Sequence, residues 1–251
     1  MHAKPKPINT FISRKLAVVL SVSTLIVFGG CSGVLNEATI KAPRFYPDGK
    51  RVILTYCNHT SPCTLATFDL GRKSLVLHNQ DKIDPNDSFT SDAAFSRDGK
   101  QMAYIIGKEN SDVTQIAIQN IDGSMRQKIT TSPGHKRTPS FSPDGKRIIF
   151  LAGFSFGKTH RKRVAGFDVF EIDLETGQQK QITNYNMYSA SAPYFLPNGK
   201  DFIFYAIASR NWDSAGDNNI FILSNQSNQK IEKDKLKPIL INGDYSGSPT
   251  I

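Results

Sequence analysis

The chain has 251 residues, 39% of them hydrophobic and 21% charged, a balance that excludes a disordered chain and one embedded throughout in a membrane. Its 18 glycines and 13 prolines suit a turn-rich fold. The net charge of +9 overstates the folded part: residues 1–30 hold Lys4, Lys6, Arg14 and Lys15 and no acid, and removing these four of 31 leaves 27 basic against 22 acidic residues, or +5. An excess of that size favours solubility and weak attraction to anionic surfaces; it is no argument for nucleic acid.

The first element is an address. Basic residues end at Arg14 and Lys15, an uncharged run fills residues 16–28, and Gly29, Gly30 and Cys31 follow. A basic start, a short apolar core and small residues at the cut describe a secretory signal. Thirteen residues of helix cover about 20 Å, less than the ~30 Å hydrocarbon core, so a spanning helix is the weaker reading. Small-small-Cys resembles the bacterial lipobox, with Phe28 where Leu is usual. That resemblance implies acylation of Cys31, a signal peptide over 1–30, a lipidated linker over 31–38 and, through Ser32, the outer membrane with the protein facing the periplasm. An unmodified Cys31 behind an ordinary signal is the alternative.

Cys57 and Cys63 follow in CNHTSPC. In an oxidising compartment a disulfide across a hairpin loop is the favoured reading. A metal site built from Cys57, His59 and Cys63 lacks a fourth ligand and the usual cysteine spacing.

From residue 39 the chain repeats. Four segments align: PRFYPDGKRVIL at 43–54, AAFSRDGKQMAY at 93–104, PSFSPDGKRIIF at 139–150 and PYFLPNGKDFIF at 193–204. Their anchors Phe45, Phe95, Phe141 and Phe195 are 50, 46 and 54 residues apart. Each copy runs an apolar strand into Phe, turns through Asp or Asn and Gly, and enters a second apolar strand, which is hairpin chemistry. Two more strands follow in every copy: residues 64–70 and 74–77, then QIAIQNIDG and QKIT at 115–123 and 127–130, then FDVFEIDLETG and KQIT at 167–177 and 180–183, then 219–223 and 236–241. Four-stranded units at this period predict propeller blades.

The segment FSPDGKRIIF at 141–150 resembles the signature of the TolB-like, or WD-like, β-propeller repeat, and the resemblance covers residues 39–251. It implies an all-β propeller and says little about function, because that fold hosts scaffolds, sensors and hydrolase domains. The chain departs from TolB itself: no α/β domain precedes the repeats, and its leader reads as a lipoprotein signal. SGSPTI at 246–251 matches the run-up to a fifth hairpin, with Ile251 at the Phe position, 56 residues after Phe195. The expected fold is therefore four complete blades plus the first strand of a fifth. A truncated product, a compact four-bladed ring and completion by a second copy all remain open.

In a meander blade, the first-to-second and third-to-fourth turns share one face of the disc, and the other connections share the opposite face. The longer loops, at 57–63, 80–92, 107–112, 131–138, 153–166, 184–192 and 208–218, fall on this second face, with 224–235 the exception. Rigid scaffolds bind through such loops. Candidate contacts there are the basic cluster Lys158, His160, Arg161, Lys162 and Arg163, the lone tryptophan Trp212, and Tyr185 and Tyr188, which lie beside Met187 in a blade-to-blade loop. A solvated loop accounts for the cluster equally simply, and core packing for the aromatic residues.

Catalytic motifs fail on context. GFSFG at 153–157 matches the nucleophile-elbow pattern around Ser155, but no helical pattern follows it. The histidines show no metal-ligand spacing, and Asp213 and Asp217 do not complete a calcium loop. The expectation is a non-enzymatic, lipid-anchored propeller without cofactor that binds a protein or peptidoglycan-associated partner, not nucleic acid. The alternative is an enzyme or glycan-processing protein, lyase-like or hydrolase-accessory, with a channel-centred site.

Overall fold

The computed structural model describes residues 38–58, 61–78, 83–109, 111–156, 163–207, 218–224 and 238–239. They form four antiparallel four-stranded sheets arranged as propeller blades. Blade 1 holds β1 (Thr39–Phe45), β2 (Arg51–Asn58), β3 (Ser61–Asp69) and β4 (Ser74–Leu77). Blade 2 holds β5 (Phe89–Phe95), β6 (Gln101–Gly107), β7 (Thr114–Asn120) and β8 (Gln127–Lys128). Blade 3 holds β9 (His135–Phe141), β10 (Arg147–Phe156), β11 (Arg163–Asp173) and β12 (Gln179–Gln181). Blade 4 holds β13 (Ser189–Phe195), β14 (Asp201–Ile207), β15 (Asn218–Ser224) and β16 (Pro238–Ile239). Within each blade the strands pair in sequence order. The leader, the linker and the fifth-blade segment at 246–251 lie outside the described residues.

The first hairpin of every blade is closed by its own side chains. Asp48, Asp98, Asp144 and Asn198 each accept a hydrogen bond from the backbone N–H two residues on, at 2.8–3.1 Å. The glycine after each has φ between 65° and 71°, a conformation that costs glycine nothing and other residues a Cβ clash. Gly99 serves a second purpose, since a Cβ there would meet Pro47 of blade 1 at 2.8 Å.

The innermost strands are longer than the sequence pattern indicates. Each contains a bulge three residues before its Phe, where Ala42, Asp92, Thr138 and Ala192 take φ of 46–52°. The ladder to the next strand slips at this point in all four blades. Proline follows directly in three of them, as Pro43, Pro139 and Pro193, at a place where the ladder has already lost a donor. The bulge breaks the alternation, so the residues before it read as loop although they are strand. A similar correction applies to the expected loop at 153–166. β10 continues to Phe156 and β11 begins at Arg163, with a register shift between Gly153 and Ser155. Ser155 pairs with Val164 inside a sheet, so the strand-to-helix turn of a nucleophile elbow is not formed.

Burial explains why the strands are apolar on both faces. Alternate residues of each second strand face opposite neighbours. Met102, Tyr104 and Ile106 pack on Tyr46, Ile53 and Leu65 of blade 1, whereas Ala103 and Ile105 pack with Phe141, Ile148 and Phe150 of blade 3. Ile149 and Leu151 then face Phe202 and Phe204 of blade 4. The repeat phenylalanines of blades 2–4 reach back to the preceding blade: Phe95 lies 4.6 Å from the Tyr46 ring, Phe141 packs with Ile105 and Ile116, and Phe195 lies under the Arg147 guanidinium at 5.1 Å. Arg147 also donates to the Gly199 carbonyl at 2.6 Å and pairs with Glu171 at 3.1 Å, riveting blade 3 to blade 4. Phe45, in the first blade, is 55% exposed.

The Ile-Thr that follows the short fourth strands of blades 2 and 3 has a specific task. Ile129 and Ile182 donate their N–H groups to the carbonyls of Ile116 and Val169. The next acceptor is a side chain: Thr130 Oγ1 takes the Ile116 N–H at 2.9 Å and Thr183 Oγ1 takes that of Val169 at 2.8 Å. Both threonines are fully buried. In blade 1 the equivalent N–H, on Leu65, is satisfied at 2.8 Å by Thr90 of the next blade.

Candidate functional site

The second face carries a cavity of about 500 Å³ near the propeller axis, within the usual range of ligand sites. It is walled by the second-face ends of the innermost strands β1, β5 and β9, by the β2–β3 turn, and by the β6–β7 turn. The bulges position its inner rim. Lys41, Ser91 and Arg137 each stand four residues before a repeat phenylalanine, and Asp92 sits on a bulge itself. The Asp92 N–H donates to Thr55 Oγ1 at 3.2 Å, which ties β5 to blade 1 at the cavity edge.

Charged groups of both signs line it. Lys41, Lys108 and Arg137 form no ion pair among the described residues, nor do Asp92 and Glu109. The Arg137 guanidinium lies 5.5 Å from the centre of the Phe167 ring, a cation–π contact that holds it at the cavity. Lys136 is different, being 1% exposed. Its ammonium is engaged by the carbonyls of Ser132, of Pro133 at 2.9 Å and of Gly134 at 3.3 Å. Burial lowers its pKa to about 8. Thr114 Oγ1 fastens the same residue, donating to the Lys136 carbonyl and accepting from its N–H. Burial also lowers the His135 pKa, with Arg137 and Lys136 adding to the effect and Asp112 opposing it. His135 is thus predominantly neutral at pH 7.

Cys57 and Cys63 are joined in a disulfide that lines the cavity with Pro62. The bond uses both thiols, so the metal reading of this loop is excluded. Among the described residues no group of three or more His, Cys, Asp or Glu is placed to hold a metal ion.

Lys158, His160, Arg161, Lys162 and Trp212 lie outside the described residues, and of Arg163 the backbone alone is described, paired with Phe156. Tyr185 and Met187 are buried in the core between blades 3 and 4, whereas Tyr188 is 40% exposed. Asp168 fixes the loop that carries them, accepting from Thr183 Oγ1 at 2.9 Å and from the Tyr185 N–H at 2.6 Å. Sequence reasoning passed over the cavity residues Lys41, Asp92, Lys108, Glu109 and Arg137. The repeat alignment held a signal for three of them, because the columns three and four residues before each Phe contain Asp92, Lys41 and Arg137.

No protein-family model matches the chain. It is 29% identical over 174 residues to a TolB homologue of Chlorobium luteolum, covering 68% of this chain and 35% of that protein. It is 24% identical over 219 residues to YuxL of Bacillus subtilis, described as an uncharacterised peptidase, covering 74% and 32%. The chain therefore spans about a third of the length of these curated relatives. The crystal structure of TolB from Acinetobacter baumannii superposes with a TM-score of 0.55 at 22% identity, covering 78% of this chain and 42% of that one. The chain has the propeller fold of TolB and TolB-like homologues in sequence, at identities in keeping with a relative rather than TolB itself.

Proposed function

We propose that the protein is a non-enzymatic propeller of the periplasm, anchored in the outer membrane through acylated Cys31, that binds a protein or peptidoglycan-associated partner through its second face. The observation that carries this reading is the cavity. Its cations Lys41, Lys108 and Arg137 and its carboxylates Asp92 and Glu109 are held by paired strands and turns without an ion-pair partner among the described residues. Such groups hold their bonding capacity for something outside the blades, and a rigid frame lowers the ordering cost of using it. Mixed signs favour a partner that itself carries both charges. Lys158, His160, Arg161, Lys162, Arg163 and Trp212, expected from the sequence on this face, would with Tyr188 extend the contact, with Tyr185 supporting its loop from the core.

The test is affinity capture from detergent-solubilised envelopes with the lipidated protein. Arg137→Ala with Lys108→Ala, and separately Arg161→Ala with Trp212→Ala, are expected to lose the captured partner. Lys146→Ala, on the opposite face, is expected to keep it. Equal capture by all three would refute a second-face site. The similarity to a peptidase favours one other reading, in which this propeller serves a hydrolase. Hydrolysis of peptide substrates by the purified chain would establish it and end the non-enzymatic proposal.

A further inference from the structure

Blade 1 differs from blades 2 and 3 at its outer edge. Ser74, Leu75, Val76 and Leu77 of β4 are all exposed, Val76 at 60%. The corresponding strands of blades 2 and 3 are polar, β8 being Gln127 and Lys128 and β12 being Gln179, Lys180 and Gln181, and the described fourth strand of blade 4 is the shorter pair Pro238 and Ile239. β4 is firmly held. It pairs with β3 along its whole length, from Ser74 opposite Asp69 to Leu77 opposite Ala66. Beyond it, the His78 N–H donates to the Leu65 carbonyl at 2.8 Å, and its Nε2 lies 2.6 Å from Thr67 Oγ1. The apolar side chains are thus displayed by a fixed strand and cannot fold away. Arg72 and Lys73, both exposed, lead into them, and neither makes an ion pair among the described residues.

Two kinds of occupant suit an apolar edge strand. A partner strand would satisfy its free backbone groups but would leave Leu75 and Leu77 on one face, and Val76 on the other, still in water. A lipid surface covers the edge and both faces together and takes the adjacent cations on anionic headgroups. The position of the tether favours the second. Thr39 lies eight positions after Cys31, a reach of at most about 28 Å, whereas strand spacing puts β4 only about 14 Å from β1. The lipid anchor therefore allows the outer edge of blade 1 to reach the bilayer.

We propose that residues 72–77 are a membrane-docking edge: Leu75, Val76 and Leu77 enter the headgroup boundary and Arg72 and Lys73 contact anionic lipid. This rests on the anchored reading of Cys31. Docking fixes the orientation of a propeller that the linker alone would leave free to turn, and it keeps blades 2–4 clear of the bilayer.

The test uses the full lipidated protein in vesicles of phosphatidylethanolamine and phosphatidylglycerol. An environment-sensitive fluorophore is placed at Ser74→Cys or, as control on the outer turn of blade 3, at Glu175→Cys. Spin-labelled lipid is expected to quench position 74 more than about twofold more strongly than position 175. Val76→Asp with Leu77→Asp is expected to abolish that difference while the protein still floats with the vesicles and keeps its urea midpoint. Equal quenching at both positions of a floating protein overturns the docking edge and leaves the anchor standing. A lipid-modified Cys31 absent by mass, with no flotation, overturns the anchor and this inference with it.

Discussion

Replacing Thr183 by valine tests how a blade ends. Valine keeps the volume and the β-branch and removes the hydroxyl alone. The Val169 N–H, now 2.8 Å from that hydroxyl, would be left buried without an acceptor, at a cost of about 1–3 kcal/mol. Thr183 Oγ1 also donates to the Asp168 carboxylate at 2.9 Å, and a bond to a charged group is the stronger kind. In blade 2 the corresponding donation from Thr130 goes to the neutral Gln115 amide oxygen at 2.6 Å. The expected order of destabilisation is therefore Thr183→Val, then Thr130→Val, with serine at either position close to wild type. For a domain of this size each kcal/mol moves Tm by about 2–4 °C, so the valine variants should melt roughly 2–12 °C early. Urea unfolding provides the assay, with the midpoint falling and the slope unchanged. If Thr183→Val stays within about 0.5 kcal/mol of wild type, or if serine is as damaging as valine, the hydroxyl does not complete the ladder and the account of the Ile-Thr repeat is wrong.

The remaining predictions concern backbone space and charge. Gly166→Ala is expected to destabilise by at least about 1–3 kcal/mol, because the new Cβ would meet the Asn186 backbone at 2.6 Å; a neutral result in a thermal melt would contradict the packing described. At the blade 4 bulge, where Ala192 has φ 52°, Ala192→Gly should be neutral or stabilising and Ala192→Val should cost about 1–2 kcal/mol; the reverse order of urea midpoints would rule the bulge out. The Asp144 carboxyl is held below its ordinary pKa of 3.8, first by the Ser142 hydroxyl and against some desolvation, and Asp48 and Asp98 are lowered in the same turns. A lowered carboxyl stabilises fully above its unfolded value and ceases to as pH falls through its folded one. The urea midpoint should therefore drop below about pH 4, and Asp144→Asn should shallow that drop. Lys136 runs the other way: with a folded pKa of about 8 against 10.5, the unfolded chain holds the extra proton between those values. Stability contributed through this group should rise from pH 8 to 10.5, and Lys136→Met should remove the rise measured in parallel urea titrations.

Much of the architecture is local chemistry and was open to the sequence. The Asp-Gly-Lys turns, with Asn198 for Asp in the fourth, specify a hairpin, because the side-chain oxygen bonds its own backbone and glycine takes the positive φ. Four such turns at a near-constant period count the blades, and β4 spans the expected residues 74–77. The disulfide loop was also legible, since seven residues around a hairpin tip leave the two sulfurs within reach. Other features were not. The bulges at Ala42, Asp92, Thr138 and Ala192 have no common residue type, and their φ is imposed by the ladder they interrupt. Tyr185 and Tyr188 stand three residues apart in one aromatic loop, yet one is core and the other surface.

What the sequence determined by itself is the blade: its turns, its strand order, and the repeating phenylalanine that each blade offers to a neighbour. What tertiary structure alone decided is the use of those elements. The same phenylalanine is covered at Phe141 and 55% exposed at Phe45, and Lys41, Asp92 and Arg137, from three blades, come to one cavity. The physical reason is the range of the forces involved. A turn closes over four residues and carries its instructions with it, whereas burial and convergence at the axis depend on how blades some fifty residues apart stack, and no short stretch of sequence contains that contact.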